Sequence, residues 1–476
     1  MKRILLTCIC LLCIGSAAQA QNANIWSLKR CIDYARENNL RLRQAALNLE
    51  ASEINLVEAK ASRYPNLNLG TNYNFNFGRT IDVSTNEFRA ENNQTMGLGL
   101  SSSVNLFSGF QTANTIKQNE INLLSSELDL KQGELDLILQ VTQAYLQILF
   151  NAEFLESAEV QLSSTVEQRD RTQKLVDAGS LARASLFELE SQIATDELAV
   201  VNARNQIELS YLTLQQLLTL DRSQPFGIEK PEIDAPQGTG ILSARPSEVY
   251  AIAVASQPFI RSADLQVESA ALGIKIAEGA RYPRLSLSGN FNSFFSNRNR
   301  KFLDVIPVSF ATPVLIDDVP AVLTLTNQQA QYANSYGYFD QILDTRGYGL
   351  SIGLNVPIYN RRTVISGIER ARVSYRNAKL GADIQRQALQ QTIEQAYLDV
   401  TQAFSTYIAT QKQIDALQLT FENAEKQFNL GMINSVDYLI AKNNLNRARN
   451  DLVRNKFDYL FKTMILDFYQ GKPIGL

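Results

Sequence analysis

Arg63-Tyr64-Pro65-Asn66-Leu67-Asn68-Leu69-Gly70-Thr71-Asn72-Tyr73-Asn74-Phe75-Asn76-Phe77 contains the point at which the chain changes period. After Pro65 the asparagines alternate with leucine, tyrosine and phenylalanine. A period of two sets amides on one face of a strand and apolar groups on the other. A second lead, Arg281-Tyr282-Pro283, opens the same alternation, with Ser286, Ser288, Asn290 and Asn292 between Leu285, Leu287 and Phe291. Two return runs put Leu98, Leu100, Val104 and Leu106, then Leu350, Ile352, Leu354 and Val356, on one side, with glycine, serine and asparagine opposite. Strands are therefore expected near 66–77, 96–106, 284–295 and 347–357. Each is roughly ten residues or slightly more, the length a tilted strand needs to cross a bilayer. A soluble sheet would place charges on its wet face. Here that face is neutral and polar, as suits a water-filled lumen, so Asn68, Asn72, Asn74, Ser286, Asn290 and Ser351 are expected to face one.

The lead is duplicated along with its surroundings. Ala59-Lys60-Ala61-Ser62-Arg63-Tyr64-Pro65 returns as Ala277-Glu278-Gly279-Ala280-Arg281-Tyr282-Pro283, and Gly97-Leu98-Gly99-Leu100-Ser101 as Gly347-Tyr348-Gly349-Leu350-Ser351. Tyr145-Leu146 and Gly179 return as Tyr397-Leu398 and Gly431, 252 positions on. The expected repeats are 21–230 and 246–476, with a linker at 231–245.

Proline-free tracts at 66–224 and 358–472 carry the rest. Steps of three and four from Ile393 reach Tyr397, Val400, Phe404, Tyr407, Gln411, Ile414, Leu417, Phe421, Ala424 and Phe428, the stripe that keeps a helix against a partner. Ile121, Leu124, Leu128, Leu135, Ile138, Tyr145, Leu149 and Ala152 repeat it. As one helix, 110–176 would be roughly 100 Å long. Gly179 and Gly431 interrupt the pattern where a left-handed C-cap fits, and periodic stretches then resume. Each repeat thus reads as a long antiparallel hairpin.

Lys and Arg number 45 against 48 Asp and Glu, a net charge of -3, so no basic surplus is available for a phosphate backbone and nucleic acid is not an expected partner. There is no histidine, which removes Ser-His-Asp triads, Cys-His dyads and His-ligated metals. Gly471-Lys472-Pro473 lacks the remaining features of a phosphate loop. Neither an enzyme nor a cofactor is expected. Residues 1–20 read as a cleaved export signal: Lys2 and Arg3, an apolar run, then Ser16-Ala17-Ala18-Gln19-Ala20. Cys8, Cys10 and Cys13 lie too deep in that run for lipidation, and Cys31 reads as a small buried hydrophobe. Beyond Ala20 no stretch offers eighteen apolar residues, so any membrane span must be β. Four strands cannot close a barrel, and open edges are intolerable in lipid. The chain must then oligomerise, three copies giving twelve strands and two giving eight.

These ordered features resemble the TolC family of outer-membrane efflux proteins over essentially the whole chain beyond the signal. The resemblance rests on the duplicated Arg-Tyr-Pro leads, the Gly-x-Gly-Leu-Ser returns and the stretch Phe428-Asn429-Leu430-Gly431-Met432-Ile433-Asn434-Ser435-Val436-Asp437-Tyr438-Leu439. It implies a mostly α fold, with duplicated α-helical hairpins forming an α-barrel and four strands per chain closing a twelve-stranded membrane β-barrel in a homotrimer. It further implies an outer-membrane exit duct for tripartite efflux or type I secretion, seated in outer-membrane lipid. The partners would be a periplasmic adaptor (membrane fusion) protein and an inner-membrane RND or ABC transporter. Family members narrow the periplasmic entrance with acidic residues after the second tip glycine, where Asp437 falls. Ile440 stands where many carry a second aspartate, and Ser185 holds the first-repeat position. Asp437 also reads as a solvated helix N-terminus. Gly179 and Gly431 read as adaptor contacts or bare helix stops; Leu175, Leu181, Leu430 and Ile433 as adaptor contacts or last coiled-coil turns.

Strand direction places 82–93 and 297–345 outside the cell. The second, with Pro307, Pro313, Pro320 and the aromatics Tyr332, Tyr336, Tyr338 and Phe339, reads as a cover over the mouth, a surface for other proteins or phage, or a floppy insertion. A periplasmic coiled-coil scaffold or adaptor is the alternative function, and it leaves the four strands unexplained. A general porin would be mostly strand.

Overall fold

The computed structural model describes residues 25–82, 87–90, 92–221, 223, 225–231, 245–316, 319–333 and 335–472. The expected signal lies outside them, as does most of the expected linker. In chain order the elements are β1 (Ile25–Trp26), α1 (Leu28–Asn38), α2 (Leu40–Ala61), β2 (Asn68–Asn76), β3 (Arg79–Asp82), β4 (Glu87–Ala90) and β5 (Asn93–Ser108). The first hairpin is α3 (Gln111–Asp177) with α4 (Arg183–Leu218), followed by β6 (Gly227–Ile228), α5 (Pro246–Ser256), α6 (Pro258–Gly279), β7 (Arg284–Ser296), β8 (Phe302–Ile316) and β9 (Val319–Tyr332). After α7 (Tyr338–Asp344) and β10 (Gly347–Asn355) comes the second hairpin, α8 (Thr363–Asn429) with α9 (Ser435–Tyr469).

The chain divides into two compact units. One gathers residues up to Ile54, Asn119–Ala270 and Ser374 onward; the other Asn55–Gln118 and Ala271–Val373. Compactness thus cuts across the repeats, because each repeat supplies a helix pair to one unit and two strands to the other.

In the helical unit, α3 and α8 each have 67 residues. Ala158 packs with Val200 and Ala203, so α4 returns antiparallel along α3. The ring pairs Phe404–Tyr459 (5.6 Å) and Phe428–Tyr438 (4.9 Å) do the same for α8 and α9. The stripe from Ile393 is buried or half-buried throughout. That from Ile121 holds except at Leu124, which is 49% exposed. Around Tyr145 the first stripe widens into a core of Leu137, Val141, Ile148, Leu214 and Leu218, closed by α1 through Leu28 and Cys31. The Tyr145 hydroxyl donates to the Glu229 carbonyl at 2.7 Å, beside the parallel pair β1–β6, and burial pushes its pKa up. Cys31 is fully buried, and its thiol is pushed up to about 12 by burial, consistent with an inert packing residue.

The other unit holds an antiparallel sheet in the order β10-β7-β5-β2, matching the four expected strands, with β5 longer than expected. Of the three readings of 297–345, the floppy insertion does not hold: its described residues are ordered into β8, β9 and α7. β8 and β9 form a separate two-stranded ribbon, and β3 and β4 a smaller one. The prolines masked the ribbon at the sequence level: Pro307, Pro313 and Pro320 interrupt a strand pattern, yet all three occupy register pairs of one parity. There the N–H that proline lacks points away from the partner strand.

Candidate functional site

Two places carry polar groups that the sequence singled out, one in each unit. The first is a face of the sheet. Asn68 pairs in register with Ser101, which pairs with Asn290, which pairs with Gly349. Ser103, Ser288 and Ser351 form another row, and Asn105, Ser286 and Gly353 a third. With Asn72 and Asn74 on β2, all six expected lumen residues fall on this one face. Its neutral amides and hydroxyls are interrupted by Phe294, which shares the parity of Asn290 and was not foreseen. Glycine makes room for the amides: a Cβ at Gly97 would collide with the Asn72 side chain, and one at Gly349 would lie 2.8 Å from Asn290 Oδ1. The opposite face carries Leu69, Tyr73, Phe75, Leu98, Leu100, Phe291, Leu350, Ile352 and Leu354. On the outer strands these side chains are open, Leu69 at 71% and Leu350 at 76% exposure. One face of the sheet suits water and the other hydrocarbon.

The second place is the hairpin tip. Gly179 (φ 75°) and Gly431 (φ 72°) both adopt the left-handed conformation. Each closes a Schellman motif. Gly179 N–H donates to the Val176 carbonyl and Ser180 N–H to that of Leu175, each at 2.9 Å; Gly431 and Met432 do the same to Phe428 (2.9 Å) and Gln427 (2.8 Å). Nothing would obstruct a Cβ at either glycine, so both tips are open. Asn434 caps α9 by accepting the Asp437 N–H at 2.8 Å, and the exposed Asp437 carboxylate stands in the first turn.

The two hairpins meet just inside the tips. Leu189, Phe428, Tyr438 and Leu439 form a cluster against which Leu181 and Ile433 pack, so these two residues are absorbed in the end of the coiled coil. Leu430 (75% exposed) and Met432 (70%) are the apolar side chains that project from the second tip. Burial raises the Tyr438 hydroxyl to about 12. The Ser435 hydroxyl donates its proton to the Glu188 carboxylate, and Ser185 Oγ lies 3.2 Å away as its other hydrogen-bond partner. Ser185 therefore joins the hairpins, and Glu188, which the sequence reading missed, supplies the first-repeat carboxylate.

Deeper lies a polar layer that was also missed. Lys442 Nζ donates to Thr165 Oγ1 at 3.0 Å, and Thr165 donates to Asp196 Oδ2 at 2.6 Å. Gln192 donates to Asp196 Oδ1 at 2.8 Å, and Asn443 to Gln192 Oε1 at 3.1 Å. Thr165, Asp196 and Lys442 are all buried. Burial holds the Lys442 pKa below the usual lysine value, against the opposing pull of Asp196, Glu425 and Glu167. The available signal was spacing: Asp196 lies seven residues after Leu189 and four before Val200, on the buried stripe.

The outer membrane efflux protein family model matches residues 31–219 and 249–460. The chain belongs to this family. Among relatives, the outer membrane efflux protein BepC of Brucella suis is 22% identical over 95% of this chain and 87% of its own length. The outer membrane protein TolC of Escherichia coli is 21% identical over 98% of this chain and 85% of its own. Among solved structures, VceC of Vibrio cholerae superposes with a TM-score of 0.67 at 15% identity, covering 94% of this chain and 97% of that one. This family member is an outer-membrane protein, as the relatives are named. The mostly helical architecture with a membrane-type sheet is the family's fold.

Proposed function

We propose that the chain is the exit duct of a tripartite efflux or type I secretion assembly, opened by a periplasmic adaptor and an inner-membrane RND or ABC transporter. The observation that carries this reading is the two-faced four-stranded sheet. Its asparagine, serine and glycine face lines water while its leucine and aromatic face meets outer-membrane lipid, and three copies close the edges into twelve strands. Conduction is passive. The hairpin tips form the periplasmic entrance, with Asp437 and the Ser185–Ser435–Glu188 contact narrowing it. Adaptor contact at Gly179, Gly431 and the projecting Leu430 and Met432 shifts two hairpin packings that differ by a few kcal/mol.

The test is the particle mass in mild detergent without heating, together with single-channel current in a planar bilayer. A mass three times that of the chain and small, mostly closed currents are expected, rising several-fold in Asp437→Ala. Unchanged closure in that variant removes Asp437 from the gate. A soluble species without current sinks the duct and favours a periplasmic scaffold.

A further inference from the structure

The ribbon of β8 and β9 has one blocked edge and one open edge. Pairs Pro307↔Gln328, Pro313↔Val322 and Leu315↔Pro320 share one parity, and proline is tolerated there because these residues point their N–H groups outward. On β8 the outward row therefore loses two donors within its length. On β9 only the first position, Pro320, is lost, which leaves the N–H groups of Val322, Thr324, Thr326, Gln328 and Ala330 in an uninterrupted outward row. β8 is the sole strand neighbour of β9 among the described residues. Edge strands are ordinarily guarded by charge, proline or a bulge. From Val319 to Tyr332 there is no charged residue, and the ribbon's one register shift lies at its base, between Phe302 and Asp304. Phe310, Leu323 and Leu325 share one face of the ribbon and are 56%, 47% and 54% exposed.

We propose that β9 is a docking edge that takes one extended strand from a different polypeptide. A row of backbone donors and acceptors at strand spacing is complemented by another backbone, with alternate apolar side chains covering Leu323 and Leu325. A second copy of this chain is a poor occupant. Ring assembly would lay its β8 edge, gapped at Pro307 and Pro313, against β9, whereas β9-to-β9 pairing is two-fold and ends at two copies. Charge narrows the partner further. Between Lys301 and Arg346 stand five aspartates and no lysine or arginine; Asp344 is taken up by Lys301 at 3.0 Å, and the acidic excess that remains favours a strand flanked by basic residues. The edge is independent of the duct reading; only its placement outside the cell rests on that reading.

The test uses purified full-length protein in detergent and a labelled synthetic peptide of alternating threonine and valine flanked by lysines. Saturable binding is expected, weakened about tenfold or more by Thr324→Pro with Gln328→Pro, which removes two outward donors. These prolines join the parity class already holding three, so the ribbon persists, and unchanged circular dichroism and single-channel current verify it. No saturable binding overturns the proposal, as does equal binding to the double variant. Equal binding of a peptide interrupted by prolines reduces the effect to charge attraction and also overturns it. A Thr324→Cys chain that forms copy-to-copy disulfides on oxidation would show a second copy on the edge, with the same consequence. Current is read in the same preparation, so failure of the docking edge is distinct from failure of the duct.

Discussion

In the first hairpin Thr165 and Asp196 meet across α3 and α4, both buried, and Lys442 reaches them from α9. At the corresponding positions of the second hairpin, 252 residues on, stand the half-buried Leu417 and the buried Ala448. The long helices have equal length, the returning helices differ by one residue and the tip motifs are the same, so the fold does not require the polar layer. What the layer adds is specificity of pairing: one hairpin carries a buried acid and the other a buried cation, and they satisfy each other through Thr165 in a single register. Thr165→Val keeps the shape and removes both bonds, leaving an ammonium and a carboxylate under-satisfied. The expected cost is about 3 kcal/mol, read as a lowered unfolding midpoint in detergent. Combining Thr165→Leu, Asp196→Ala and Lys442→Met makes the layer apolar in both hairpins, the first two changes copying Leu417 and Ala448. Stability is then expected to return to the wild-type value or above it, while mispaired hairpins become detectable by cross-linking. A triple variant less stable than Thr165→Val would show that the layer is needed for stability itself.

The repeats differ again where backbone conformation is demanding. α4 ends with Thr219 at φ 58°, its N–H donating to the Gln216 carbonyl at 3.1 Å and that of Leu220 to Gln215 at 2.9 Å. α9 ends in the same motif at Gly471, φ 76°, 252 residues on. A β-branched residue in the left-handed region carries a Cβ clash that glycine avoids. Thr219→Gly is therefore expected to raise stability by about 1 kcal/mol and Gly471→Thr to lower it by a similar amount, both measured by thermal unfolding. Equal midpoints for Thr219→Gly and wild type would mean that local contacts already offset the strain. Gly109-Phe110 and Arg361-Arg362 show the same economy of conformation with unlike residues, all four at positive φ where a strand turns into a long helix.

Much of this architecture was legible because it is written in period. The run 110–176 differs from α3 by a single residue at each end, both tip glycines are left-handed, and all six expected polar strand residues share a face. What escaped was written in exceptions to period. Asp196 and Lys442 sit at stripe positions where a polar residue reads as noise, although a three-helix junction can satisfy it. The β8–β9 ribbon was hidden by prolines that are compatible with a strand only in one parity, which becomes known once the register is known. Leu181 and Ile433 could be read equally as tip contacts or coiled-coil ends, since sequence does not say that the two hairpins converge there. Leu430 and Met432 carry the exposed apolar surface instead.

The smallest contrast lies at the helix starts behind the tips. Asn434 caps α9 through Asp437, whereas Ala182, at the equivalent place and in the same extended conformation (φ -72°, ψ 146°), makes no side-chain cap. The geometry for a cap exists in both repeats and the acceptor oxygen in one. Ala182→Asn is expected to add about 0.5–1 kcal/mol, and Asn434→Ala to remove a similar amount. The measurement that separates helix capping from gating is hydrogen exchange in the first turn of α4, where protection should rise in Ala182→Asn while single-channel current stays unchanged. If current falls as protection rises, fraying of the first tip is itself part of opening, and the uncapped alanine marks the hairpin that moves first.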